Sequence, residues 1–341
     1  MLGIKYVETA IDSPILRNAR RGGWQSAHIE YFYHRAVYQR PLRRTKHDGC
    51  NAAYDQKPKS SNGVTMQKTT RAIIITGNGT NCEMEAAHAC RIAGFDEAVI
   101  AHIADILSNE IRLDDFHFLN LTGGFLDGDD LGSAKAQANR LQHATVAETD
   151  EKLVEQLQRF IEAGKLILGV CNGFQLMVKM GMLPGFDNDY FSQKVTLTHN
   201  ESGRFQDRWC YLKADPLSPS IFTKGIEQGI YLPVRHGEGK FLCDSQETIN
   251  RIESEHLVPL KYSDEKYIAP ATDFPANPNG SQNSIAGLCD QTGRLMGLMP
   301  HPEAFVHYTQ HPRWTRENLP EEGDGLILYR NAANFVKSNL L

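Results

Sequence analysis

The sequence predicts an α/β protein with a mostly parallel central sheet that continues into an antiparallel extension. Two observations predict this fold. Between residues 72 and 181, short apolar runs alternate with amphipathic helical segments, as they do when helices connect the strands of a parallel sheet. From about Val195 the apolar runs become shorter and no longer alternate with such helices, which favours an antiparallel extension.

The first elements can be read in chain order. The β-branched run AIIITG at 72–77 predicts a buried strand that ends at a glycine. A helix follows in NCEMEAAHACRIAG, where Gly94 is well placed to end it. One face of that helix carries small apolar side chains, namely Cys82, Ala86, Ala89, Cys90 and Ala93. Two further strands are predicted, EAVIAHI from Glu97 and FHFLNL, which runs into Thr122-Gly123-Gly124.

The later elements follow the same logic. The segment DEKLVEQLQRFIEAG places its apolar residues on one helical face and stops at Gly164. KLILGV then predicts a fourth strand, and GFQLMVKMG predicts the next helix. The short strands expected in the antiparallel extension are VTLT, RWCYLKA, GIYLPV, SIAGLC and RLMGLM. Residues 262–284 are predicted to form a loop, and GLILYRNAANFVKSNL forms the closing helix.

Charge divides the chain near Met66. Residues 1–65 hold eleven Lys and Arg against five Asp and Glu, whereas the remaining residues hold 25 against 36. The first segment also lacks sustained apolar periodicity. We therefore predict that residues 66–341 form one catalytic domain and that residues 1–65 are a start-site over-call. A mitochondrial transit peptide and a disordered extension are the alternatives.

Composition also bounds the compartment and the class of site. No apolar run approaches the roughly 20 residues that span a bilayer, and no secretory signal is present. The seven cysteines are scattered without CxxC spacing, so neither a disulfide framework nor a metal site is predicted. A cytoplasmic location is the simplest expectation.

The stretch GVCNGFQ, residues 169–175, predicts a catalytic cysteine. Cys171 lies between a strand and a helix, with Gly169 and Gly173 two residues to either side. Small neighbours permit the sharp turn that exposes a nucleophile, and a helix N-terminus favours the thiolate. The alternative is that Cys171 is a small buried apolar residue, as most free cysteines are.

Two further motifs supply what a cysteine nucleophile needs. In GLMPHPEAF, Glu303 could hold one imidazole nitrogen of His301 while the other faces the thiol, although a surface loop is the simpler interpretation of this motif alone. In LTGGFLDGDDLG, the N–H groups of Gly123 and Gly124 could stabilise an oxyanion, unless the motif is an ordinary turn.

Taken together, GVCNGFQ, MPHPE and LTGGF resemble the class I, triad-type glutamine amidotransferases. GNGTNCEMEAA, HNESGRFQDRW and RHGEGKF are similar to the glutaminase family of phosphoribosylformylglycinamidine synthases. The resemblance runs from about Met66 to residue 314 and implies a flavodoxin-like domain. It also implies a Cys171–His301–Glu303 triad, with Gly123, Gly124, Asn172 and Gln175 as substrate-binding residues.

The resemblance further implies that L-glutamine is hydrolysed to glutamate and ammonia. The ammonia would supply a partner synthetase, with a third small subunit as a further possible partner. That synthetase converts formylglycinamide ribonucleotide to its amidine in purine biosynthesis, and ATP and Mg²⁺ would be used by it, not by this chain. HNESGRF and RHGEGKF are candidate contacts with the partner, and no contact with nucleic acid or membrane is expected.

Two other functions stay open at this point. One is a stand-alone cysteine amidase of the α/β-hydrolase type, although there the acid precedes the histidine in the chain, whereas here Glu303 follows His301. The other is a catalytically silent binding module, which would be expected to lack at least one residue of the triad. GNGTNC at 77–82 has cysteine at the third glycine position of GxGxxG, which argues against a dinucleotide site.

Overall fold

A computed structural model of the chain describes residues 69–341. The domain prediction for residues 1–65 concerns residues outside this range. The described strands are β1 Arg71–Thr76, β2 Glu97–His102, β3 Phe118–Leu121, β4 Leu166–Val170, β5 Val195–Thr198, β6 Gln206–Ala214, β7 Gly229–His236, β8 Lys240–Cys243, β9 Leu260–Ser263, β10 Ile285–Cys289 and β11 Leu295–Leu298. The α-helices are α1 Glu83–Ala93, α2 Ile103–Leu107, α3 Lys135–His143, α4 Leu153–Glu162, α5 Asn172–Lys179, α6 Gln246–Ser254 and α7 Leu326–Asn339.

Nine of these strands form one sheet in the order β2-β1-β3-β4-β11-β10-β9-β6-β7, and β5 pairs with β8 in a separate ribbon. The first five strands of the sheet are parallel, and the pairs from β11 to β7 are antiparallel. The sheet therefore confirms the predicted α/β class with its parallel centre and antiparallel extension.

Strand β11 lies at the boundary between the parallel and the antiparallel part of the sheet. RLMGLM is predicted in the antiparallel extension, and β11 does pair antiparallel with β10. It also pairs in parallel with β4, with Leu298 opposite Val170, which the sequence did not predict. A four-residue apolar strand carries no local signal of direction, which is set by the chain that leads into it. Because β4 and β11 end at the same edge, the residues that follow them meet there.

The central strands are buried, as their continuous apolar sequences predict. All five residues of β4 and the last five of β1 are buried. Helix α7 packs against α1, and its Tyr329 contacts Phe118 of β3 edge-on, with ring centroids 6.4 Å apart.

No helix in the described part of the chain is both long and apolar enough to cross a membrane.

Several elements escaped the sequence analysis. Strand β9 takes up the first residues of the predicted 262–284 loop, and helices α2, α3 and α6 were not predicted. Helix α6 carries a clear start signal, since the hydroxyl of Ser245 accepts a hydrogen bond from the N–H of Thr248 at 3.1 Å. Helix α3 has none, because Ala134 at its N-cap is left-handed, with φ of +56°.

Candidate active site

Cys171 occupies a strained turn between β4 and α5. Its φ of +52° and ψ of −105° lie in a region that non-glycine residues rarely adopt. Its N–H donates to the carbonyl of Leu298 on the neighbouring strand β11 at 2.8 Å, which fixes the turn to the sheet. This is the backbone geometry of a nucleophile elbow, in which the side chain projects from the carboxyl edge of the sheet.

The two flanking glycines make this turn possible. A Cβ on Gly173 would lie 2.0 Å from the carbonyl oxygen of Leu121 in β3. A Cβ on Gly169 would lie 2.8 Å from the backbone of Gly173. The first turn of α5 therefore packs directly on the backbones of β3 and β4, and any side chain at either position would push the elbow away from the sheet.

His301 and Glu303 form a buried pair immediately beyond β11. Nδ1 of His301 lies 2.6 Å from Oε1 of Glu303, and each side chain is no more than 3% exposed. The N–H of His301 donates to the carbonyl of Pro233 on β7 at 2.8 Å, which fixes the backbone at that point. The structure thus brings these two predicted residues together, through a 3₁₀ turn at Pro302–Ala304 and not through the extended backbone assumed from the sequence.

The imidazole of His301 sits between this carboxylate and the Cys171 thiol. Burial alone lowers the pKa of His301, but the charge of Glu303 and then the interaction with Cys171 outweigh it, so that the pKa lies well above its usual range. Because Glu303 engages Nδ1, Nε2 is the nitrogen left to face the thiol, and it is buried without a hydrogen-bond partner among residues 69–341. The arrangement can therefore stabilise an imidazolium beside a thiolate and return its proton to a leaving group.

The predicted Gly123–Gly124 loop lies against the imidazole. A Cβ on Gly123 would come within 2.7 Å of Cε1 of His301, so glycine is needed for the ring to approach. Gly124 has φ of +130° and lines the pocket in front of Cys171. The loop is joined to the elbow because the N–H of Leu126 donates to Oδ1 of Asn172 at 3.2 Å.

Asn172 follows Cys171 directly and Gln175 lines the cavity, and the side chains of both bond to other groups of the protein. Nδ2 of Asn172 donates to Oε1 of Gln175 at 3.0 Å, and Nε2 of Gln175 donates to the carbonyl of Glu238 at 2.6 Å. Asn172 is the first residue of α5, so its backbone N–H has no intrahelical acceptor. That N–H is available for an oxyanion beside Cys171, whereas the side chain amide of Gln175 braces the pocket wall.

A cavity of about 580 Å³ opens above the thiol. Part of its wall comes from the two motifs that the sequence analysis assigns to partner contacts, HNESGRF and RHGEGKF. Asp207 on β6 and Arg235 on β7 are directly opposite each other in the antiparallel pair and both line the cavity. Both are exposed, and neither forms an ion pair with another residue of the described part.

A buried histidine supports the cavity from below. Nδ1 of His236 lies 3.1 Å from Oδ1 of Asn200, and the same oxygen accepts the N–H of Gly239 at 3.0 Å. Burial and the nearby His301 lower the pKa of His236 to about 3. His236 is therefore a neutral structural group at neutral pH. The sequence analysis singled out the motif RHGEGKF, which contains His236, but did not predict a structural role for this histidine.

Cys82 is a second thiol in the same cavity. The helical pattern assigned it to the apolar face of α1, but it precedes that helix, and its Sγ lies 3.8 Å from Nδ1 of His301. Burial raises the pKa of the Cys82 thiol. Ligand atoms of Cys82, His301 and Glu303 lie within 4.8 Å of one another, a donor set that Zn²⁺ accepts. A metal would compete with Glu303 for Nδ1, so the hydrogen-bonded geometry favours proton transfer.

Comparisons with known proteins show which family the chain is similar to. Residues 69–336 match the CobB/CobQ-like glutamine amidotransferase domain family. The chain is 46% identical over 267 residues to phosphoribosylformylglycinamidine synthase subunit PurQ of Dehalococcoides mccartyi, covering 78% of this chain and 98% of that protein. It is 36% identical over 275 residues to the PurQ subunit of Methanococcus maripaludis strain C5, again covering 78% and 98%. Among solved structures, PurLQS from Thermotoga maritima aligns with a TM-score of 0.57 at 28% identity, covering 79% of this chain and all of the matched chain.

Proposed function

The chain belongs to the CobB/CobQ-like glutamine amidotransferase family, and from this premise we propose that it is the glutaminase subunit of a phosphoribosylformylglycinamidine synthase. The proposal depends on one observation above all. A cysteine in a strained elbow stands beside an imidazole whose other nitrogen is 2.6 Å from a buried carboxylate. This arrangement supports nucleophilic attack on an amide.

Cys171, His301 and Glu303 carry the proposed chemistry. The Cys171 thiolate attacks the side-chain amide carbon of glutamine, and the carbonyl oxygen becomes an oxyanion between the N–H groups of Asn172 and Gly124. The intermediate collapses when His301 protonates the departing ammonia. His301 then removes a proton from water, which attacks the glutamyl thioester and releases glutamate. Glu303 holds the imidazole and stabilises its charged form.

Asp207 and Arg235 suit the other end of the substrate. A free amino acid carries an ammonium and a carboxylate on one carbon, and this cross-strand pair presents opposite charges side by side at the cavity wall. We assign the α-carboxylate of glutamine to Arg235 and its α-ammonium to Asp207. Gly123, Gly124, Asn172 and Gln175 then shape the amide end of the same pocket, the first by admitting the imidazole and the last by bracing the wall.

Replacing Arg235 by glutamine should weaken glutamine binding without stopping the chemistry. We expect the KM for glutamine to rise about 10- to 100-fold, the range for one charge-assisted contact, with kcat changed by less than about threefold. Steady-state glutamate release measures both constants. Arg208→Gln is the matched control, because Arg208 is the adjacent β6 arginine and bonds Gln206 outside the cavity. An unchanged KM in Arg235→Gln would remove this residue from the substrate site.

The ammonia is proposed to pass to a partner synthetase that uses ATP and Mg²⁺ to form the amidine of formylglycinamide ribonucleotide. The solved relative is a PurLQS assembly, which supports a synthetase and a small third subunit as the partners. ATP and Mg²⁺ act on the partner in this proposal, and no residue of this chain is assigned to them.

Glutamate release from glutamine, measured with and without the purified synthetase, tests this function. We expect slow hydrolysis by the chain alone and a rise of at least about tenfold with the partner and its substrates, because closure of a shared site couples the two reactions. Fast hydrolysis at a rate that does not depend on the partner would instead support a stand-alone amidase. Absence of hydrolysis under both conditions would support the silent binding module.

A further inference from the structure

Two loops contribute to the wall of the active-site cavity. The first wall loop, residues 199–205, joins β5 to β6. The second wall loop, residues 235–239, is the end of β7 and the turn that leads to β8. Residues of both loops line the cavity. Loops lack the repeating backbone bonds of helices and sheets, so the position of this wall depends on whatever binds the two loops together.

Asn200 binds the two wall loops to each other. Its N–H donates to the carbonyl of Gly237 at 2.9 Å. Its Nδ2 donates to the carbonyl of His236 at 2.8 Å and to the carbonyl of Arg204 at 2.9 Å. Its Oδ1 accepts the N–H of Gly239 at 3.0 Å and lies 3.1 Å from Nδ1 of His236. The side chain is 2% exposed and is bonded at every donor and acceptor position that an amide offers.

These partners fix the orientation of the Asn200 amide and the tautomer of His236. Nδ2 faces two carbonyl oxygens, which only accept, so this atom must be the amide nitrogen. Oδ1 can then only accept, which puts the proton of His236 on Nδ1. Nε2 of His236 is left as an acceptor and lies 3.5 Å from Nδ2 of Asn279. A neutral histidine satisfies both neighbours, in agreement with the low pKa of His236.

Asn279 connects this network to strand β9 and to the first wall loop. Its Nδ2 also donates to the hydroxyl of Tyr262 on β9 at 3.0 Å, and its backbone carbonyl accepts the N–H of Glu201 at 3.0 Å. Tyr262 and Asn279 are both buried. Buried polar groups that are all hydrogen-bonded specify one arrangement, because another arrangement would leave some of them unpaired. The network therefore favours a single position of the wall.

The second wall loop contacts the nucleophile and the helix that follows it. The carbonyl of Arg235 lies 3.5 Å from Sγ of Cys171, and the carbonyl of Glu238 accepts Nε2 of Gln175 at 2.6 Å. The guanidinium of Arg235 is the group assigned above to the α-carboxylate of glutamine. The N–H groups of Cys171 and His301 are bonded instead to β11 and to β7 ahead of the wall loop. A displaced wall loop would therefore move the group that binds substrate more than the groups that react.

We propose that Asn200 is a positioning residue that locks the two wall loops together and thereby sets the affinity of the site for glutamine. Asn200 is not among the residues that line the cavity, so it acts through Arg235. Without its bonds the wall takes up the binding geometry for only a fraction of the time, and the apparent dissociation constant rises in inverse proportion to that fraction. The inference rests on the proposed function and adds to it a residue that determines substrate affinity.

Asn200→Ala removes the side-chain bonds and is the direct test. We expect the KM for glutamine to rise at least about tenfold, which corresponds to a wall in the binding geometry about a tenth of the time, with kcat changed less than about threefold. Glutamate release at increasing glutamine concentration measures both constants, and saturating glutamine should restore the wild-type rate. A general loss of structure would lower kcat and would not be restored by substrate, and that result would overturn the inference.

Asn200→Asp keeps the volume and both accepted bonds, and it carries the test if Asn200→Ala does not fold. In this variant an oxygen replaces Nδ2 and faces the carbonyl oxygens of Arg204 and His236. The two donated bonds are lost, so KM should again rise with little change in kcat. An unchanged KM in folded Asn200→Asp would overturn the inference.

Two alkylating reagents separate the wall from the triad. The glutamine analogue 6-diazo-5-oxo-L-norleucine carries an α-carboxylate and an α-ammonium and needs the wall, whereas iodoacetamide carries neither. In Asn200→Ala the second-order rate of Cys171 alkylation by the analogue should fall at least about tenfold, with the rate for iodoacetamide changed less than about twofold. Mass spectrometry of the Cys171 peptide measures both rates. Equal losses with the two reagents would mean that Asn200 supports the nucleophile and not the wall, which would overturn the inference.

Hydrogen exchange tests the lock between the loops without any substrate. Backbone amides of residues 199–205 and 235–239 should exchange faster in Asn200→Ala, above all the N–H of Gly239, which loses its acceptor. Unchanged exchange in both loops would overturn the inference whatever the activity of the chain. Faster exchange with an unchanged KM would overturn it as well. A failure of the proposed function is distinguishable, because it would appear in the wild-type chain as an absence of glutamine hydrolysis.

Asn331→Ala is the matched control. Asn331 on α7 is a partly buried asparagine whose Nδ2 donates to the carbonyls of Phe222 and Lys224, both at 2.8 Å, outside the active-site cavity. It loses the same pair of donated bonds as Asn200 does, and its KM, alkylation rates and wall-loop exchange should match the wild type. Thermal unfolding of each variant checks folding. A rise in KM as large as that in Asn200→Ala would indicate a general loosening of the fold and overturn the inference.

Discussion

Cys171→Ala should abolish glutamine-dependent amidine formation by the reconstituted complex, with a loss of at least about 10⁴-fold. The reason is specific to the thiolate step, because no other group in the elbow can form the glutamyl thioester. With ammonium salts in place of glutamine, the complex should keep its synthetase activity, since ammonia then bypasses this chain. Both rates are measured from the same purified complex by following amidine formation.

Two other cysteines provide control variants for this test. Cys243→Ala changes a partly buried thiol on β8 outside the cavity and should behave as wild type. Cys82→Ala removes the other thiol that contacts His301, and it should retain most of the glutamine-dependent rate. If glutamine turnover survives in Cys171→Ala but disappears in Cys82→Ala, the nucleophile is Cys82 and the assignment of Cys171 is wrong.

The elbow is the part of the site that local sequence predicts best. Glycines two residues to either side of a cysteine at a strand–helix junction indicate a turn that tolerates no side chains, and the contact between Gly173 and the Leu121 carbonyl gives the physical cause. Strands β1 to β4 were also readable as a parallel set, because each is a short apolar run and helices α1, α4 and α5 between and after them each show an apolar face. These features depend on residues close together in the chain.

What the sequence could not predict depends on long-range contacts. Cys82 is 219 residues from His301, and its helical spacing fits an apolar face equally well, so nothing local shows that it reaches the imidazole. The parallel pairing of β11 with β4 was likewise not predicted, yet that pairing is what carries His301 to the edge where Cys171 projects. Pairing, not composition, assembles the site.

His301→Ala should be nearly as damaging as the loss of Cys171, whereas Glu303→Gln should be milder by about 10- to 100-fold. The triad acts as a unit, so removing either group that handles the proton removes most of the rate. Glutamine at 303 can still accept a hydrogen bond from Nδ1 and keep the ring oriented. It cannot supply the negative charge that raises the pKa of His301.

That missing charge also sets the direction of the pH effect in Glu303→Gln. The imidazolium loses stabilisation, so it gives up its proton at a lower pH and the alkaline limb of the glutaminase profile moves to lower pH. His256→Ala is the matched control, because His256 pairs with Asp215 at 2.9 Å away from the cavity and should change neither the rate nor the profile. Glutamate release across pH measures all three variants. Equal rate losses in Glu303→Gln and His301→Ala would mean that the carboxylate does more than orient and charge the imidazole, because a residue that only supports the proton carrier cannot cost as much as the carrier itself.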